Sequence, residues 1–163
     1  MENLIKKLLV YVDGSEESVT AAQYAICLAR ISGAELTALY VVNTRAAEEL
    51  VKANIFLKSE EEEYTRDIEA DAERYLNHVK NMGIEKGVTV VTKKKRGTPF
   101  LEIKAEVSEQ KPDILVLGEL SKIRSRRDES YNEAERAMRN VSCSVLIVKD
   151  DERVWDLYDS LTP

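Results

Sequence analysis

The chain has 163 residues, is 44% hydrophobic and carries a net charge of −6 at pH 7, which suits one globular domain with a buried core. It has no apolar run of about 18 residues and no apolar leader ending in a small-residue cleavage site, so we expect a cytoplasmic protein with no membrane partner. The acidic balance argues against a protein that coats nucleic acid, which is not an expected partner.

Five short apolar runs, each bounded by turn residues or by a helical pattern, predict β-strands. They are residues 4–12, 35–42, 88–92, 113–118 and 144–149. The stretches between them predict four helices, the first beginning after an N-cap at Ser15 and ending at Gly33. In the second helix, apolar residues recur every three or four positions from Tyr64 to Met82. Residues 43–59 are predicted to be a polar connection.

Strands that alternate with helices through short connections predict a doubly wound α/β domain, with a parallel sheet covered by helices on both faces. We assign residues 1–150 to this domain and residues 151–163 to a C-terminal amphipathic tail. The stripe of the tail consists of Val154, Trp155, Tyr158 and Leu161. A short amphipathic helix is not stable by itself, so we expect the tail to dock on this subunit or on its partner.

The residues that usually form metal sites or catalytic sets are few. Cys27 and Cys143 are 116 positions apart among apolar neighbours and are interpreted as reduced thiols, and His78 is interpreted as a surface residue. The sequence therefore predicts no metal site and no catalytic residues. An enzyme that uses Asp13 is the weakest alternative, since no second acid or base accompanies it.

Ligands of doubly wound folds bind at the carboxyl ends of the strands, where the strand order reverses. The turn 13–15, "DGS", follows the first strand, but it matches neither GxGxxG nor GxxxxGK[ST]. The acids Glu16 and Glu17 would repel a phosphate at the start of the following helix. The turn is also a common cap sequence that needs no ligand.

Two basic clusters are predicted to leave the third and fourth strands. The first is Lys93, Lys94, Lys95 and Arg96, and the second is Lys122, Arg124, Arg126 and Arg127. Both would lie on the carboxyl edge, where they could form a positive rim for a phosphorylated small molecule. The alternative is that both are solvated loop charges, balanced by neighbouring acids.

Several segments in order resemble the universal stress protein family from Leu4 to Lys149. They are "KLLVYVDGSEES", "AAQYAICLARISGAELTALYVV", "RGTPFLEI", "PDILVLG" and "ERAMRNVSCSVLIVK". The resemblance implies a five-stranded parallel sheet in the order 3-2-1-4-5 and a role in stress survival without an established enzymatic reaction. It also implies a homodimer through the last strand. The residues of that edge are Ser144, Val145, Leu146, Ile147 and Val148.

In the nucleotide-binding branch of this family, an Asp after the first strand and a backbone group at the end of the second hold adenine. The resemblance places these roles on Asp13, with Gly14 beside it, and on Val41 or Val42. The same branch has Gly-x-x-Gly, nine residues, then Gly-Ser or Gly-Thr after the fourth strand. Here Gly118 matches the first glycine, but Ser121 and Tyr131-Asn132 replace the others. The chain is thus more similar to the universal stress protein A type, which lacks the ATP loop.

The leading functional interpretation is a homodimeric stress-response protein that binds partners, performs no catalysis, needs no cofactor and does not bind ATP tightly. The alternative is a sensor of ATP, ADP or AMP, or a slow ATPase. In that case Asp13 and the basic loop after the fourth strand would replace the glycine loop.

Overall fold

The computed structural model describes residues 3–55, 57–120 and 129–163, and it gives the backbone alone at residues 46–47 and 129–132. The strands are β1 (Lys7–Tyr11), β2 (Glu35–Val42), β3 (Val90–Arg96), β4 (Ile114–Leu117) and β5 (Ser144–Ile147). The helices are α1 (Glu16–Ser32), α2 (Thr44–Lys52), α3 (Lys58–Glu85), α4 (Pro99–Gln110), α5 (Glu129–Asn140) and α6 (Asp151–Ser160).

The five strands form one parallel sheet in the order β3-β2-β1-β4-β5. This confirms the predicted fold class and strand order. The central strand β1 pairs with β2 on one side and with β4 on the other, and Leu9 lies opposite both Thr37 and Leu115. The strand order reverses between β1 and β4, so the carboxyl ends of these two strands form the crevice in which such folds bind ligands.

Each face of the sheet has its own buried cluster because successive side chains of a strand point to opposite faces. Val10, Val12 and Val42 pack with α1, α3 and α6 on one face. Leu9 and Leu39 pack with α4 and α5 on the other. We call these the α1 face and the α4 face.

Local signals set the ends of α1 as predicted. The Ser15 hydroxyl accepts a hydrogen bond from the amide of Ser18 at 3.1 Å, which satisfies one of the free donors at the start of the helix. Gly33 ends the helix in a left-handed conformation (φ 73°), and its amide donates to the Ala29 carbonyl at 2.8 Å.

Two boundaries differ from the prediction. Residues 44–52, predicted as connection, form α2, which packs against α3; nine residues are too few for a clear apolar repeat. The third strand was predicted at 88–92, but it begins at Val90 and continues to Arg96. The basic run is therefore part of the strand and does not follow it. Each of its side chains pairs with an acid on a covering helix.

The C-terminal tail docks on its own subunit as helix α6. Val154 and Tyr158 are buried, and the Tyr158 hydroxyl donates to the Met82 carbonyl of α3 at 3.0 Å. Burial, and then a hydrogen bond to Glu85, raise the pKa of Tyr158 to about 12. Trp155 is 52% exposed and contacts the Tyr158 ring, so the predicted stripe is wrong at that position.

None of the helices in the described ranges is long and apolar enough to cross a membrane.

Candidate functional site

The carboxyl edge of the sheet brings together the predicted site residues that the structure describes. Asp13 and Gly14 follow β1, Val41 and Val42 end β2, and Gly118 follows β4. Since β1 lies between β2 and β4, all five positions lie at one edge of three adjacent strands.

Asp13 has a structural task in the turn that starts α1. Its Oδ1 accepts hydrogen bonds from the amide of Ser15 at 3.0 Å and from the Ser15 hydroxyl at 2.6 Å. The Asp13 amide donates to the Ser18 hydroxyl at 3.3 Å. These contacts fix the start of α1 without a ligand, and they leave Oδ2 of the carboxylate with no partner in the described part of the chain.

Two tyrosines that the sequence did not indicate close the α1 side of this turn. Gly14 has a φ of 84°, and a Cβ there would lie 2.8 Å from Cε2 of Tyr75. The Tyr75 ring stacks on Tyr40 with 6.5 Å between the centroids, and the Tyr40 hydroxyl is 3.5 Å from the Asp13 carbonyl. Burial, and then the charge of Asp13, raise the pKa of Tyr40 to about 12. Gly14 is thus required by its conformation and by a ring contact.

The end of β2 distinguishes Val41 from Val42. The Val42 carbonyl accepts from the amide of Gly97 at 3.0 Å, so it points to β3. Carbonyl groups alternate along a strand, and the Leu39 carbonyl accepts from Val12 of β1. The Val41 carbonyl therefore points to the β1 side, beyond the last residue of that strand, where it can accept a hydrogen bond from a ligand near Asp13.

Gly118 lies against the first turn of α1. A Cβ there would be 2.5 Å from the Glu17 carbonyl oxygen and 2.6 Å from its carbon. Acidic residues line the small cavity next to this contact, with Lys149 as its one cation among the described residues. They are Glu16, Glu17, Glu119, Asp150 and Asp151. The described wall of this cavity therefore disfavours a phosphate.

The predicted basic rim is wrong for its first cluster. Lys93 and Lys95 point to the α4 face, where each lies 2.7 Å from a carboxylate oxygen of Glu106. Lys94 and Arg96 point to the α1 face and pair with acids of α3. Glu109 lies a further 3.9 Å from Lys95, so four acids face the four cations. Cations that are paired within the subunit do not form a free anion site.

The second basic cluster lies outside the described residues. Its members are Lys122, Arg124, Arg126 and Arg127. Tyr131 and Asn132, which stand where the family pattern has Gly-Ser, lie in the first turn of α5, where the backbone alone is described.

On the α4 face, a contact between helices shapes the site. Glu133 of α5 accepts a hydrogen bond from the Phe100 amide of α4 at 2.8 Å. Thr98, the N-cap residue of α4, makes no side-chain cap bond, so Glu133 supplies the cap from another helix. Below this contact lies Tyr11, the last residue of β1, which packs with Val41 and Phe100. Neither role could be predicted from the sequence because both depend on distant residues.

The five predicted dimer residues lie at the open edge of the sheet. Val145, Leu146 and Ile147 of β5 are half-buried, Ser144 is exposed and Val148 is buried. The Val148 amide donates to Leu117 of β4, so by alternation the amide of Ile147 points away from the sheet.

Comparison with known proteins gives one family. The profile of the universal stress protein family matches residues 4–149. The universal stress protein MJ0531 of Methanocaldococcus jannaschii is 33% identical over 152 residues, which cover 93% of this chain and 86% of the relative.

Solved structures show the same fold. The universal stress protein UspA from Lactobacillus plantarum aligns with a TM-score of 0.71 at 22% identity, over 89% of this chain and 98% of that one. A universal stress protein family protein from Arabidopsis thaliana with AMP bound aligns with a TM-score of 0.64 at 20% identity, over 90% and 94% of the two chains.

Proposed function

The chain belongs to the universal stress protein family, and we propose that this stress-response protein acts as a homodimeric binding module that performs no catalysis and does not bind ATP tightly. The observation that carries the dimer is the contrast between the two edges of the sheet. At the β3 edge, four basic side chains blunt the strand, and charged edges resist pairing. At the β5 edge, the strand is short and apolar, and it has outward backbone groups that another strand can satisfy.

A proline on β5 tests the dimer. We expect the wild-type chain to be a dimer at micromolar concentration by light scattering and Ile147→Pro to be a monomer, because proline removes the outward donor and bends the edge. Thr92→Pro is the matched control. The Gly97 amide points to β2, so alternation directs the Thr92 amide away from the sheet at the opposite edge. A monomeric wild type, or equal dissociation of both variants, would count against the β5 dimer.

The described wall of the carboxyl edge argues against tight ATP binding. Glu16 and Glu17 occupy the first turn of α1, and the backbone of Glu17 fills the space beside Gly118. Carboxylates repel a triphosphate, and only one glycine of the family loop is present in the sequence.

A second candidate function is binding of adenosine monophosphate (AMP). It is supported by the direction of the Val41 carbonyl, by the second carboxylate oxygen of Asp13, which no described residue contacts, and by the AMP-bound structural neighbour. This smaller ligand needs fewer phosphate contacts than ATP does. The basic residues from Lys122 to Arg127 would be its phosphate partners.

Ligand release and calorimetry test both candidates. We expect mass spectrometry of freshly purified, denatured protein to find no ATP, and titrations with ATP to give no heat with or without magnesium. AMP and ADP are titrated in parallel into the wild type, into Asp13→Ala and into the triple change Arg124→Ala/Arg126→Ala/Arg127→Ala. Micromolar ATP affinity that is lost in both variants would overturn the proposal and establish an ATP sensor.

A further inference from the structure

Tyr11 is the last residue of β1, at the carboxyl edge where Asp13 and Val41 lie. It is 4% exposed and belongs to the buried cluster of the α4 face, together with Val41 and Phe100. Its hydroxyl has no hydrogen-bond partner among the residues that the structure describes.

This lack of a partner sets Tyr11 apart from two other buried tyrosines. The Tyr158 hydroxyl donates to the Met82 carbonyl at 3.0 Å, and the Tyr40 hydroxyl approaches the Asp13 carbonyl at 3.5 Å. Most buried polar groups have such partners, because removing a hydroxyl from water without compensation is unfavourable. The Tyr11 hydroxyl is therefore a hydrogen-bonding group that no described residue uses, two positions before Asp13 on the chain.

The surrounding charges determine what this hydroxyl would bind. Burial raises the pKa of Tyr11 well above its ordinary value, and the charges of Asp13 and Glu133 raise it further. The phenol stays neutral, and the nearby carboxylates make the electrostatic potential around it negative. Glu133 is held in place by the Phe100 amide, so its charge is fixed there. Such a site favours a ligand group that donates hydrogen bonds over one that accepts them.

We propose that the Tyr11 hydroxyl accepts a hydrogen bond from the amino group of AMP bound next to Asp13. Tyr11 would thereby select adenine over a base with a carbonyl at the position of that amino group. This inference rests on the second candidate function. It assigns to Tyr11 the base specificity of the site, and it leaves the second N–H of the same amino group to the Val41 carbonyl.

Two nucleotides that differ only at one edge of the base test the assignment. AMP carries an amino group at C6 and a bare N1, where inosine monophosphate carries a carbonyl and an N1–H, and both have the same phosphate and ribose. Each is titrated calorimetrically into the wild type, Tyr11→Phe and Tyr158→Phe, all as full-length chains. Tyr11→Phe preserves the ring and its packing, and Tyr158→Phe removes a buried hydroxyl that is bonded to Met82 on the other face of the sheet.

We expect the wild type to bind AMP more tightly than inosine monophosphate. Tyr11→Phe should weaken AMP about three- to ten-fold, the effect of one neutral hydrogen bond, and change inosine monophosphate less than about two-fold. Tyr158→Phe should keep the wild-type ratio. Thermal unfolding of each variant checks that the fold is intact.

The outcomes separate this inference from the proposals on which it rests. If AMP binds but the ratio is unchanged in Tyr11→Phe, the role of Tyr11 is wrong and AMP binding stands. If the wild type binds neither nucleotide, both the second candidate function and this inference are wrong. The β5 dimer is then still decided by light scattering alone.

Discussion

Replacing Lys93 and Lys95 together by Met should destabilise the protein by about 3–5 kcal/mol, and replacing their shared partner Glu106 should cost less. Glu106 is 0% exposed and is the one acid between the two lysines. In the Lys93→Met/Lys95→Met variant its carboxylate stays buried without the two cations that pair with it. In Glu106→Gln the lysines, whose side chains are 31% and 26% exposed, can turn to water.

Urea unfolding at pH 7 measures this asymmetry. We expect Glu106→Gln to lose about 1–2 kcal/mol. The triple change Lys93→Met/Lys95→Met/Glu106→Leu should recover most of the loss of the double variant, because an apolar replacement leaves no buried charge. Lys94→Met is the matched control on the same strand. Its partner Glu73 is 59% exposed, so less than about 1 kcal/mol should be lost. A triple variant no more stable than the double would contradict this account.

The stability that Glu106 contributes with Lys93 and Lys95 should depend on pH. Burial alone would raise the pKa of Glu106, but the hydrogen bonds from Lys93 and Lys95 outweigh it and hold the pKa below its ordinary value of 4.5. A lowered folded-state pKa gives stability that is present above the ordinary value and lost as pH falls through the folded one. In the double Met variant, burial raises the pKa instead. The difference between wild type and double variant should therefore shrink as the pH falls, beginning above 4.5, where the variant takes up its proton, and ending below 4.5, at the lowered pKa of the wild type.

The fold was predictable because its determinants are local or periodic. Apolar runs identified the strands, Ser15 and Gly33 set the ends of α1, and the family resemblance supplied the strand order. The predicted end of the third strand at residue 92 was wrong because four successive basic residues, from Lys93 to Arg96, suggest a loop. On an edge strand the same residues are stable, since alternation sends them in pairs to acids of α4 and α3.

The site was only partly predictable. Asp13 and Gly118 were identified by position in the family pattern, but their contacts with Ser15 and Glu17 could not be read from it. The choice of Val41 over Val42 needed the direction of two carbonyl groups. Tyr11 appeared to be an ordinary strand residue, because an absent hydrogen-bond partner leaves no mark in a sequence.

Gly118→Ala should cost about 2–3 kcal/mol of folding free energy, because the new methyl group would meet backbone and not a movable side chain. The contact is with the carbonyl of Glu17 at 2.5 Å, so either the exit of β4 or the first turn of α1 must shift. Gly33→Ala is the matched control. Gly33 has a left-handed φ of 73° but nothing within 4 Å of its added Cβ, so it should lose only about 1 kcal/mol from strain.

This comparison decides what the one surviving glycine of the family loop does. A large loss for Gly118→Ala in urea unfolding, without any nucleotide present, means that helix packing alone requires the glycine. Its presence then gives no support for a phosphate site. If Gly118→Ala is as stable as the wild type but AMP affinity falls, the close approach at Gly118 serves the ligand, and the packing explanation is wrong. Because the Glu17 carbonyl is backbone at the start of a helix capped by Ser15, we expect the first result.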